Sequence, residues 1–499
     1  MDMTKITVNG YLLDAQQAKP IIDNPKYSLI IAGAGSGKTL TLIGKIKYLL
    51  ENNILNPDEI CCISFTNETT ENLKKSILKN CNIEVPVFTF HKLALYILKK
   101  ENIEFQIAHP TLLQEIIDDF FQTECKNYPE FQKIIYRKFP NFIFKNPKSW
   151  NKIISSPQFQ SYKMTILTFI NLMKSNNYSK TEFYSFIKSK KEVDTLLIIY
   201  AIYNLYEKEK ENHSIIDFDD MILLATQIIQ EKNMKLPFKL IIIDEFQDTS
   251  QLRFQLIQEI IKRNDASLCV VGDDYQSIYH FSGCDLNLFL NFSDYYPSAK
   301  IYKIETTYRN SQELIDVAGE FVQKNPSQIY KNLHSHKHLE PPIYLIYAKN
   351  KKTALEKLIA KIPNHQEILI LGRNHFDLKK YLSKEDYNLT QENTLKIHKF
   401  PDKTIRYLTI HASKGLESDV VILLNLLDDI YGIPSQKKED EILNFVKKNQ
   451  PYPFEEERRL FYVALTRTKN EIYLMTNKKN PSIFVKEIKK MKHIKIWKM

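Results

Sequence analysis

The chain has 499 residues, 26% of them charged, and a formal net charge of +10 at pH 7, so it is long enough for two to four domains with a large core. The first ten residues lack the apolar core of a signal peptide, and the longest apolar run, Leu196–Tyr206, is too short to span a bilayer. The six cysteines form no CxxC pair and show no zinc-binding spacing. These features argue against a secreted, disulfide-stapled or membrane-spanning protein and favour a cytoplasmic one. The positive charge permits a nucleic-acid partner but is too modest to establish one.

Strand and helix patterns divide the chain into three zones. From about residue 27 to residue 90, short β-rich runs such as "YSLIIA" and "EICCISF" alternate with helical patterns, which indicates βαβ units. Residues 92–213 are predicted to be helical. Strands return after residue 215, in "KLIIID", "SLCVVGD", "KIYKIE", "EILILGR", "YLTIHA", "DVVILL" and "EIYLM". Each ends in polar residues, which is typical of a parallel sheet covered on both faces. The basic tail from Lys478 is interpreted as a solvated helix end.

A phosphate-binding pattern stands at the start of the first βαβ unit. The segment "SLIIAGAGSGKTLTL", residues 28–42, predicts a strand, a glycine-rich turn and a helix that begins near Lys38 and Thr39. Backbone N–H groups in such a turn converge on a phosphate, and the helix N-terminus adds positive partial charge. Lys38 would reach the β- and γ-phosphates of ATP, and the Thr39 hydroxyl would bind Mg²⁺. The turn consists of Ala32, in place of the usual first glycine, and of Gly33, Ala34, Gly35, Ser36 and Gly37.

A second pattern places acidic residues at the end of a strand. In "LIIIDEFQDTS", four aliphatic residues lead directly to Asp244 and Glu245. Burial and neighbouring carboxylates raise the pKa of such groups, so the arrangement favours a bound cation or a catalytic base. The pattern follows the phosphate loop by about two hundred residues, as in ATPases of this kind. Asp244 would hold Mg²⁺, and Glu245 would act as the general base for the attacking water.

Three further segments carry residues suited to phosphates or bases. In "SLCVVGDDYQSIYHFSG", Gln276 could bond a γ-phosphate, and Tyr279 and Phe281 could stack on bases, although ordinary core aromatics would give the same pattern. "TTYRN" places Arg309 after a strand, and Arg467 follows the helical pattern "EEERRLFYVAL". Arginines stabilise the charge that develops in phosphoryl transfer. Either arginine alone would more often be a surface residue.

Together these motifs resemble those of superfamily 1 DNA helicases of the UvrD/Rep type, and most of all the helicase IV group. The similar segments, in the family order, are "LDAQQAKPI", "AGAGSGKT", "SFTNETT", "FTFHKLAL", "DEFQDTS", "GDDYQSIYHFSG", "TTYRN", "TIHASKGLE" and "EEERRLFYVALTR". The resemblance implies an α/β fold with two RecA-like P-loop NTPase domains, a parallel sheet in each and a helical insertion in the first. It implies a first core at residues 1–91 and 214–285, an insertion at 92–213, and a second core at 286–499 with a short stub near 374–405.

The resemblance also implies roles for individual residues. ATP and Mg²⁺ would lie between the cores, beside catalytic Lys38, Asp244, Glu245, Gln276, Arg309 and Arg467. The adenosine part of the nucleotide would contact Gln17, Tyr308 and Glu417. Single-stranded DNA, or the tail of a duplex, would lie across both cores on Phe65, Asn67, His91, Tyr279, Phe281 and His411. Alternating grip would then give 3′–5′ translocation and unwinding in DNA repair, recombination or replication, by a monomer or weak dimer.

The chain departs from the family pattern in three places. Glu68 replaces the lysine of the family's "TNKAA" segment, which puts a phosphate or structural contact there in question. Leu40 replaces an arginine that packs on adenine, so we expect weaker affinity for the base. The stretch from Arg373 to Arg406 is short, whereas UvrD and Rep proteins carry a large regulatory domain there.

The motifs leave other functions open. A DNA-dependent ATPase that strips proteins from DNA without separating the strands would carry the same residues, and the short stub makes this alternative conceivable. An RNA helicase of the same superfamily is less favoured, because the residues of the motifs resemble those of its DNA helicases. A nuclease fusion finds no room after the Arg467 motif. A small-molecule kinase would need neither a second core nor an aromatic loop.

Overall fold

Two parallel sheets of six strands each form the framework of this computed structural model, which describes residues 6–140, 149–188, 192–447 and 452–499. The predicted α/β class with parallel sheets is confirmed. We use "first lobe" for residues 6–107 and 215–304, "insertion" for residues 108–213 and "second lobe" for residues 305–499. Among the described residues, no helix has the length and apolar character needed to cross a bilayer.

The first sheet is built from buried aliphatic runs. All four side chains of Leu240–Ile243 are buried, as expected for a strand covered on both faces. Across the sheet, the strands lie in the order Lys300–Ile304, Tyr27–Ala32, Ser267–Gly272, Leu240–Ile243, Ile60–Ile63 and Val87–Phe88. The edge strand Lys300–Ile304 pairs in parallel with Tyr27–Ala32. The first sheet therefore extends beyond residue 285, where the sequence-based division ended the first core.

Helices surround this sheet, and several begin at side-chain caps. The Thr66 hydroxyl, for example, accepts the backbone N–H of Thr69 at the start of its helix. The main helices of the first lobe are Ala15–Asp23, Lys38–Glu51, Asn67–Cys81, Phe90–Lys100, Phe218–Glu231 and Gln251–Asn264, with short turns at Asn287–Leu290 and Phe292–Tyr295. Helix Phe90–Lys100 packs in the core of the first lobe with helix Phe218–Glu231. The insertion therefore begins later than the predicted residue 92.

The insertion has a helical core of its own, rich in phenylalanine. Its helices are Leu112–Asp119, Cys125–Asn127, Pro129–Lys138, Ser149–Ile154, Pro157–Ser175, Lys180–Lys188 and Val193–His213, with a π-helical turn at Phe120–Glu124. Ile442, Leu443 and Val446, from the second lobe, also pack in this core. The insertion thus contacts the second lobe, and an ion pair between Lys174 and Asp217 connects it to the first.

The second sheet has the strand order Ile405–Thr409, Ile368–Gly372, Ser418–Leu423, Thr468–Thr476, Ile343–Tyr347 and Ile494–Lys498. Its helices are Gln312–Val322, Lys351–Lys361, Glu455–Leu465 and Ile483–Ile488. The interpretation of the tail as a solvated helix end is wrong for its last residues, because they form an edge strand parallel to Ile343–Tyr347. Lys495 and Lys498 are exposed on this strand, and exposed lysines are common on strands at the edge of a sheet.

The segment between Arg373 and Arg406 is small. It contains two single-turn 3₁₀ helices and one hairpin, formed by Tyr387–Leu389 and Leu395–Ile397. The side chains of Leu395 and Ile397 pack on the core beside the second sheet. This segment is therefore a small addition that packs on the second lobe and has no core of its own among the described residues.

A loop of the first lobe joins the two lobes. Tyr275 and Ile278, which follow the strand Ser267–Gly272, are fully buried in the core of the second lobe. The ring of Tyr275 lies 5.3 Å from that of Tyr462, edge to face. Arg459 Nε donates to the carbonyl oxygen of Ser277 at 2.6 Å. A movement of the loop that follows the strand Ser267–Gly272 would therefore affect the packing of both lobes.

Candidate nucleotide site and nucleic-acid interface

The phosphate loop connects the strand Tyr27–Ala32 to the helix Lys38–Glu51. Gly35 and Gly37 adopt left-handed backbone conformations, with φ of 71° and 78°, which residues with a side chain rarely adopt. A Cβ atom at Gly35 would also lie 2.5 Å from the Cβ of Arg309. Gly37 has no side chain with which to cap the helix, so the first N–H groups of the helix can serve an anion.

The residues that follow the edge strand of the first sheet hold this loop. Thr307 Oγ1 donates to the carbonyl oxygen of Ala34 at 2.8 Å, and the backbone N–H of Tyr308 donates to that of Gly35 at 3.0 Å. A Cβ atom on Gly33 would lie only 2.7 Å from a methyl carbon of Leu333. The shape of the loop thus depends on the start of the second lobe as well as on its own sequence.

The two acids at the end of the strand Leu240–Ile243 lie beside the lysine and the threonine of the loop. Lys38 Nζ lies 3.1 Å from a carboxylate oxygen of Glu245. Thr39 Oγ1 lies 3.4 Å from Oδ2 of Asp244. The structure therefore brings together all four residues that the two motifs singled out.

The pKa values of these acids are shifted in opposite directions. Burial, and then the charge of Glu245, raise the pKa of Asp244 to about 6. Burial also acts to raise the pKa of Glu245, but Lys38, Lys414 and a 2.6 Å hydrogen bond from Gln247 Nε2 outweigh it and lower that pKa to about 2. Glu245 is therefore ionised at neutral pH, and a divalent cation beside Asp244 would keep that carboxylate ionised as well. Opposed shifts in one buried pair are typical of functional sites.

Gln276 and Arg467 meet across the junction of the lobes. Arg467 Nη2 donates to Oε1 of Gln276 at 3.2 Å, and Gln276 Nε2 donates to a carboxylate oxygen of Asp273 at 2.6 Å. Arg467 also donates to two carbonyl oxygens of the second lobe, which hold its buried guanidinium in one orientation. Burial, and then the charge of Arg309, lower the pKa of Arg467 to about 9, so the guanidinium remains protonated at neutral pH.

Arg309 lines an open cleft of about 360 Å³ beside the phosphate loop. Its Nε donates to Oε2 of Glu417 at 2.7 Å, and the other carboxylate oxygen of Glu417 lies 3.3 Å from Lys469 Nζ. The residues that line the cleft are Gly35, Gly37, Tyr308, Arg309, Lys337, Glu417 and Lys469. Three cations against one carboxylate suit a polyphosphate. Lys337 and Lys469 were not predicted, because neither belongs to a motif that the sequence revealed.

The two residues predicted to contact the base both interact with Asp14. Gln17 is buried; its Oε1 accepts the backbone N–H of Asp14 at 3.1 Å, and its Nε2 donates to the carbonyl oxygen of Ser36 at 3.0 Å. Gln17 thus caps its own helix and braces the phosphate loop. Tyr308 donates its hydroxyl to Asp14 at 2.6 Å, while its ring, with 56% of the residue exposed, borders the cleft and is accessible for stacking.

Lys414, at the junction of the lobes, was also given no role from the sequence. Lys414, in "HASKG", forms an ion pair with Asp248 and donates to the carbonyl oxygen of Gln276 at 2.7 Å. Burial raises the pKa of Asp248 to about 6, even though Lys414 acts in the opposite direction. The sequence shows a polar turn at Lys414, but it does not show which carboxylate that turn meets.

One aromatic cluster combines residues of both lobes: Tyr279 and Phe281 of the first lobe and His411 of the second. The rings of Phe281 and His411 lie 5.5 Å apart, edge to face, and Tyr279 donates its hydroxyl to the carbonyl oxygen of His411 at 3.1 Å. Phe281 is 48% exposed. Burial, and then the charges of Arg373 and Lys414, lower the pKa of His411 to about 4, so its ring is neutral at pH 7. A neutral aromatic platform beside two cations suits unpaired bases and their phosphates.

Phe65, Asn67 and His91 lie in the first lobe, two of them around Arg253. The guanidinium of Arg253 lies 5.7 Å from the centre of the Phe65 ring. Burial, and then Arg253, lower the pKa of His91 to about 4. Asn67 is exposed at the first position of its helix. Arg253 was not predicted from the sequence, because the helical pattern does not distinguish an arginine that contacts aromatic rings from an arginine in solvent.

Comparison with known proteins identifies the family of the chain. A model of the UvrD/REP helicase N-terminal domain matches residues 13–297, which is more than half of the chain. The chain belongs to the UvrD/Rep helicase family. A model of the UvrD-like helicase C-terminal domain matches residues 378–479. The two parallel sheets are accordingly the RecA-like domains of this family.

Three curated relatives of this UvrD/Rep family chain show how much of each protein is shared. DNA helicase IV of Escherichia coli K12 is 28% identical over 96% of this chain and 70% of its own length. ATP-dependent DNA helicase Rep of Buchnera aphidicola (Acyrthosiphon pisum) is 27% identical over 83% of this chain and 63% of its own length. ATP-dependent DNA helicase PcrA of Staphylococcus epidermidis is 26% identical over 71% and 46%. The chain thus spans between about half and 70% of the length of these relatives.

Two departures from the UvrD/Rep pattern have visible surroundings. Glu68 is exposed in the first turn of helix Asn67–Cys81, where a carboxylate interacts favourably with the helix dipole. Leu40 packs on the core beneath the phosphate loop. Glu68 therefore stabilises its helix, and Leu40 offers an aliphatic surface where the family has a planar cation.

Proposed function

We propose that this chain is an ATP-dependent DNA helicase and single-stranded DNA translocase that moves 3′–5′, with a role in DNA repair, recombination or replication. The observation that carries the proposal is the Gln276–Arg467 hydrogen bond, which joins the two lobes beside the phosphate loop. A site divided between two lobes can respond to a nucleotide by changing their separation. The relatives' names and the aromatic cluster support DNA as the second substrate.

The residues beside the phosphate loop fit MgATP. Mg²⁺ is commonly held by one or two carboxylates together with substrate phosphates, and Thr39 and Asp244 offer a hydroxyl and a carboxylate side by side. Bound ATP supplies the phosphoryl group that water attacks. Lys38 would bind its phosphates, Glu245 would accept a proton from the water, and Gln276 would orient the reacting groups.

Charge at the transition state would come from the second lobe. Arg467 and Arg309 both lie near the loop, and their guanidinium groups donate to carbonyl or carboxylate oxygens. Such preorganised donors stabilise developing charge without a cost of reorientation. Because they belong to the second lobe, hydrolysis depends on how closely that lobe approaches the first.

The aromatic cluster connects this approach to DNA. Tyr279 and Phe281 come from the loop after Gln276, and His411 comes from the turn that carries Lys414. Lys414 contacts the backbone of Gln276, so the same two segments meet both the nucleotide site and the aromatic platform. A nucleotide state that favours one lobe separation would therefore favour one grip on the strand.

Unwinding of tailed duplexes tests the proposed polarity. We expect the chain, with ATP and Mg²⁺, to separate a duplex that carries a 3′ single-stranded tail and to leave the same duplex with a 5′ tail intact. The measurement is strand release from two substrates of identical duplex sequence, with a blunt duplex as the control. A preference for the 5′ tail would contradict the assigned direction.

Substitution of Phe281 tests the aromatic platform. Base–aromatic stacking contributes about 1–3 kcal/mol per base, so Phe281→Ala is expected to raise the DNA concentration for half-maximal ATPase stimulation by roughly 5- to 150-fold. ATP turnover without DNA should change little. Leu389→Ala is the matched control, because it removes a similarly exposed apolar side chain from the hairpin of the second lobe. Unchanged stimulation in Phe281→Ala would show that bases do not stack there.

The alternative function is a DNA-dependent ATPase that remodels protein–DNA complexes without processive unwinding. It is favoured by one observation: the segment between Arg373 and Arg406 is limited to two 3₁₀ turns and a hairpin. Such a small segment offers little surface for a duplex. Displacement of a protein from single-stranded DNA, without release of strands from a 3′-tailed duplex, would favour this function.

A further inference from the structure

A buried lysine reaches the first lobe from a connecting segment of the second. Residues 323–339 run from the end of helix Gln312–Val322 towards the strand Ile343–Tyr347. They contact both lobes: Tyr275 donates its hydroxyl to the carbonyl oxygen of Ile329 at 2.9 Å, and Asn325 Nδ2 donates to that of Glu455 at 3.1 Å. Within this segment, the side chain of Lys331 is 0% exposed. A lysine is rarely buried completely unless its charge is paired.

Lys331 meets two consecutive carboxylates of the loop that carries Gln276. Its ammonium forms an ion pair with Asp273 and lies 2.6 Å from Oδ1 of Asp274. It also lies 3.5 Å from the centre of the Tyr275 ring. The other oxygen of Asp274 accepts the backbone N–H of Ile329 at 2.8 Å, which fixes the connecting segment to the same loop.

A continuous chain of polar contacts leads from Lys331 to Arg467. Lys331 pairs with one oxygen of Asp273, and the other oxygen of Asp273 accepts Gln276 Nε2 at 2.6 Å. This bond directs the amide oxygen of Gln276 away from Asp273, and that oxygen accepts Arg467 Nη2 at 3.2 Å. All four side chains are buried, so water offers little competition for these bonds.

We propose that Lys331 is a positioning residue that orients Gln276 and Arg467 for phosphoryl transfer. The proposal rests on the proposed function, in which those two residues face the γ-phosphate. Without the ammonium, Asp273 and Asp274 would be two adjacent buried carboxylates without their cation. Asp273 would lose the cation that holds its carboxylate in place, and the amide of Gln276, which donates to Asp273, would lose its fixed orientation.

The direct test is Lys331→Met, which keeps a long side chain but removes the charge. Misplacement of a catalytic group by about 1 Å can lower turnover by about 10²-fold, so we expect DNA-stimulated kcat to fall by that order. KM for ATP should stay within about twofold, because the phosphate loop is not altered. Steady-state ATP hydrolysis by the full chain, with saturating single-stranded DNA, measures both. Lys331→Arg, which keeps the positive charge, should recover part of the lost kcat.

A double-variant cycle separates positioning from simple stabilisation. If Lys331 acts through Gln276, then Lys331→Met should lower kcat by no more than about twofold in a Gln276→Ala background. A lysine that only stabilises the fold would instead reduce the active fraction by the same factor in both backgrounds. Additive effects on kcat would therefore overturn the proposal.

Two further variants guard against misfolding. Lys331→Met with Asp274→Asn keeps the net charge of the cluster at −1, as in the wild type, where one lysine faces two aspartates. This pair should fold, as judged by its thermal transition, and still show the loss of kcat. Asp274→Asn alone keeps the Lys331–Asp273 pair and should retain kcat within about twofold of the parent. If Asp274→Asn is as damaging as Lys331→Met, the proposal fails.

The outcomes also distinguish this inference from the proposed function. A parent chain without DNA-stimulated ATP hydrolysis would refute the proposed function. A fully active parent in which Gln276→Ala is impaired and Lys331→Met is not would refute only the role of Lys331.

Discussion

Glu245→Gln is expected to lower ATP turnover by about 10²–10⁴-fold while nucleotide binding persists. The structure explains both parts of this result. Lys38, Lys414 and Gln247 keep the pKa of Glu245 near 2, so the carboxylate is ionised and can accept a proton from water. An amide of the same size cannot accept that proton, but it preserves the packing next to Lys38.

The measurement combines ATP turnover with equilibrium nucleotide binding. In the presence of DNA, Glu245→Gln should form a long-lived complex with unhydrolysed ATP, because binding continues while the chemical step is slowed. Glu68→Gln makes the same chemical change at an exposed carboxylate outside the site and should behave like the parent. Turnover by Glu245→Gln close to that of Glu68→Gln would contradict its assignment as the general base.

Arg467→Ala is expected to lower ATP turnover by roughly 10³–10⁵-fold, the range found for arginines that stabilise phosphoryl transfer. The buried guanidinium lies next to Gln276 and remains protonated at neutral pH, with a pKa near 9. Its removal would take away positive charge supplied by the second lobe. DNA-stimulated hydrolysis should therefore be lost, while single-stranded DNA still binds the aromatic cluster.

Arg467 is also part of the packing between the lobes, so stability must be measured beside activity. Arg467→Lys keeps the charge, but it cannot donate at once to Gln276 and to two carbonyl oxygens as the planar guanidinium does. We expect this variant to fold and to remain strongly impaired. Arg137→Ala, at an exposed ion pair of the insertion, is the control for loss of an arginine. A folded Arg467→Ala variant with normal turnover would rule out this arginine as a source of transition-state charge.

Local patterns predicted the strands of both sheets where the signal was strong. Every side chain is buried in runs such as "LIII" and "LCVV", whose unbroken apolar sequence predicts this burial. The strand Lys300–Ile304 was also recognised, but its sheet was not. Strands pair through hydrogen bonds between backbone groups, which every residue type carries. The side chains of Lys300–Ile304 therefore do not reveal that this strand pairs with Tyr27–Ala32 of the first sheet.

The division of the helical zone illustrates the same limit. Helix Phe90–Lys100 and the helices that follow it have similar amphipathic patterns, yet the first packs on helix Phe218–Glu231 and the others pack on one another. An apolar face shows that a helix is covered, without identifying the element that covers it. The predicted start of the insertion therefore came too early in the chain.

The sequence by itself determined the parts of this protein that depend on neighbours in the chain: the glycine turn that presents Lys38 and Thr39, and the buried strand that presents Asp244 and Glu245. Only the tertiary structure decided three pairings between distant residues: Arg467 is 191 residues from Gln276, Lys414 is 166 from Asp248 and Lys331 is 58 from Asp273. Charges so far apart in the chain meet only when both sheets and the loops between them have folded. Short motifs therefore predict the residues suited to nucleotide chemistry, whereas the contacts that couple the lobes depend on how the lobes pack.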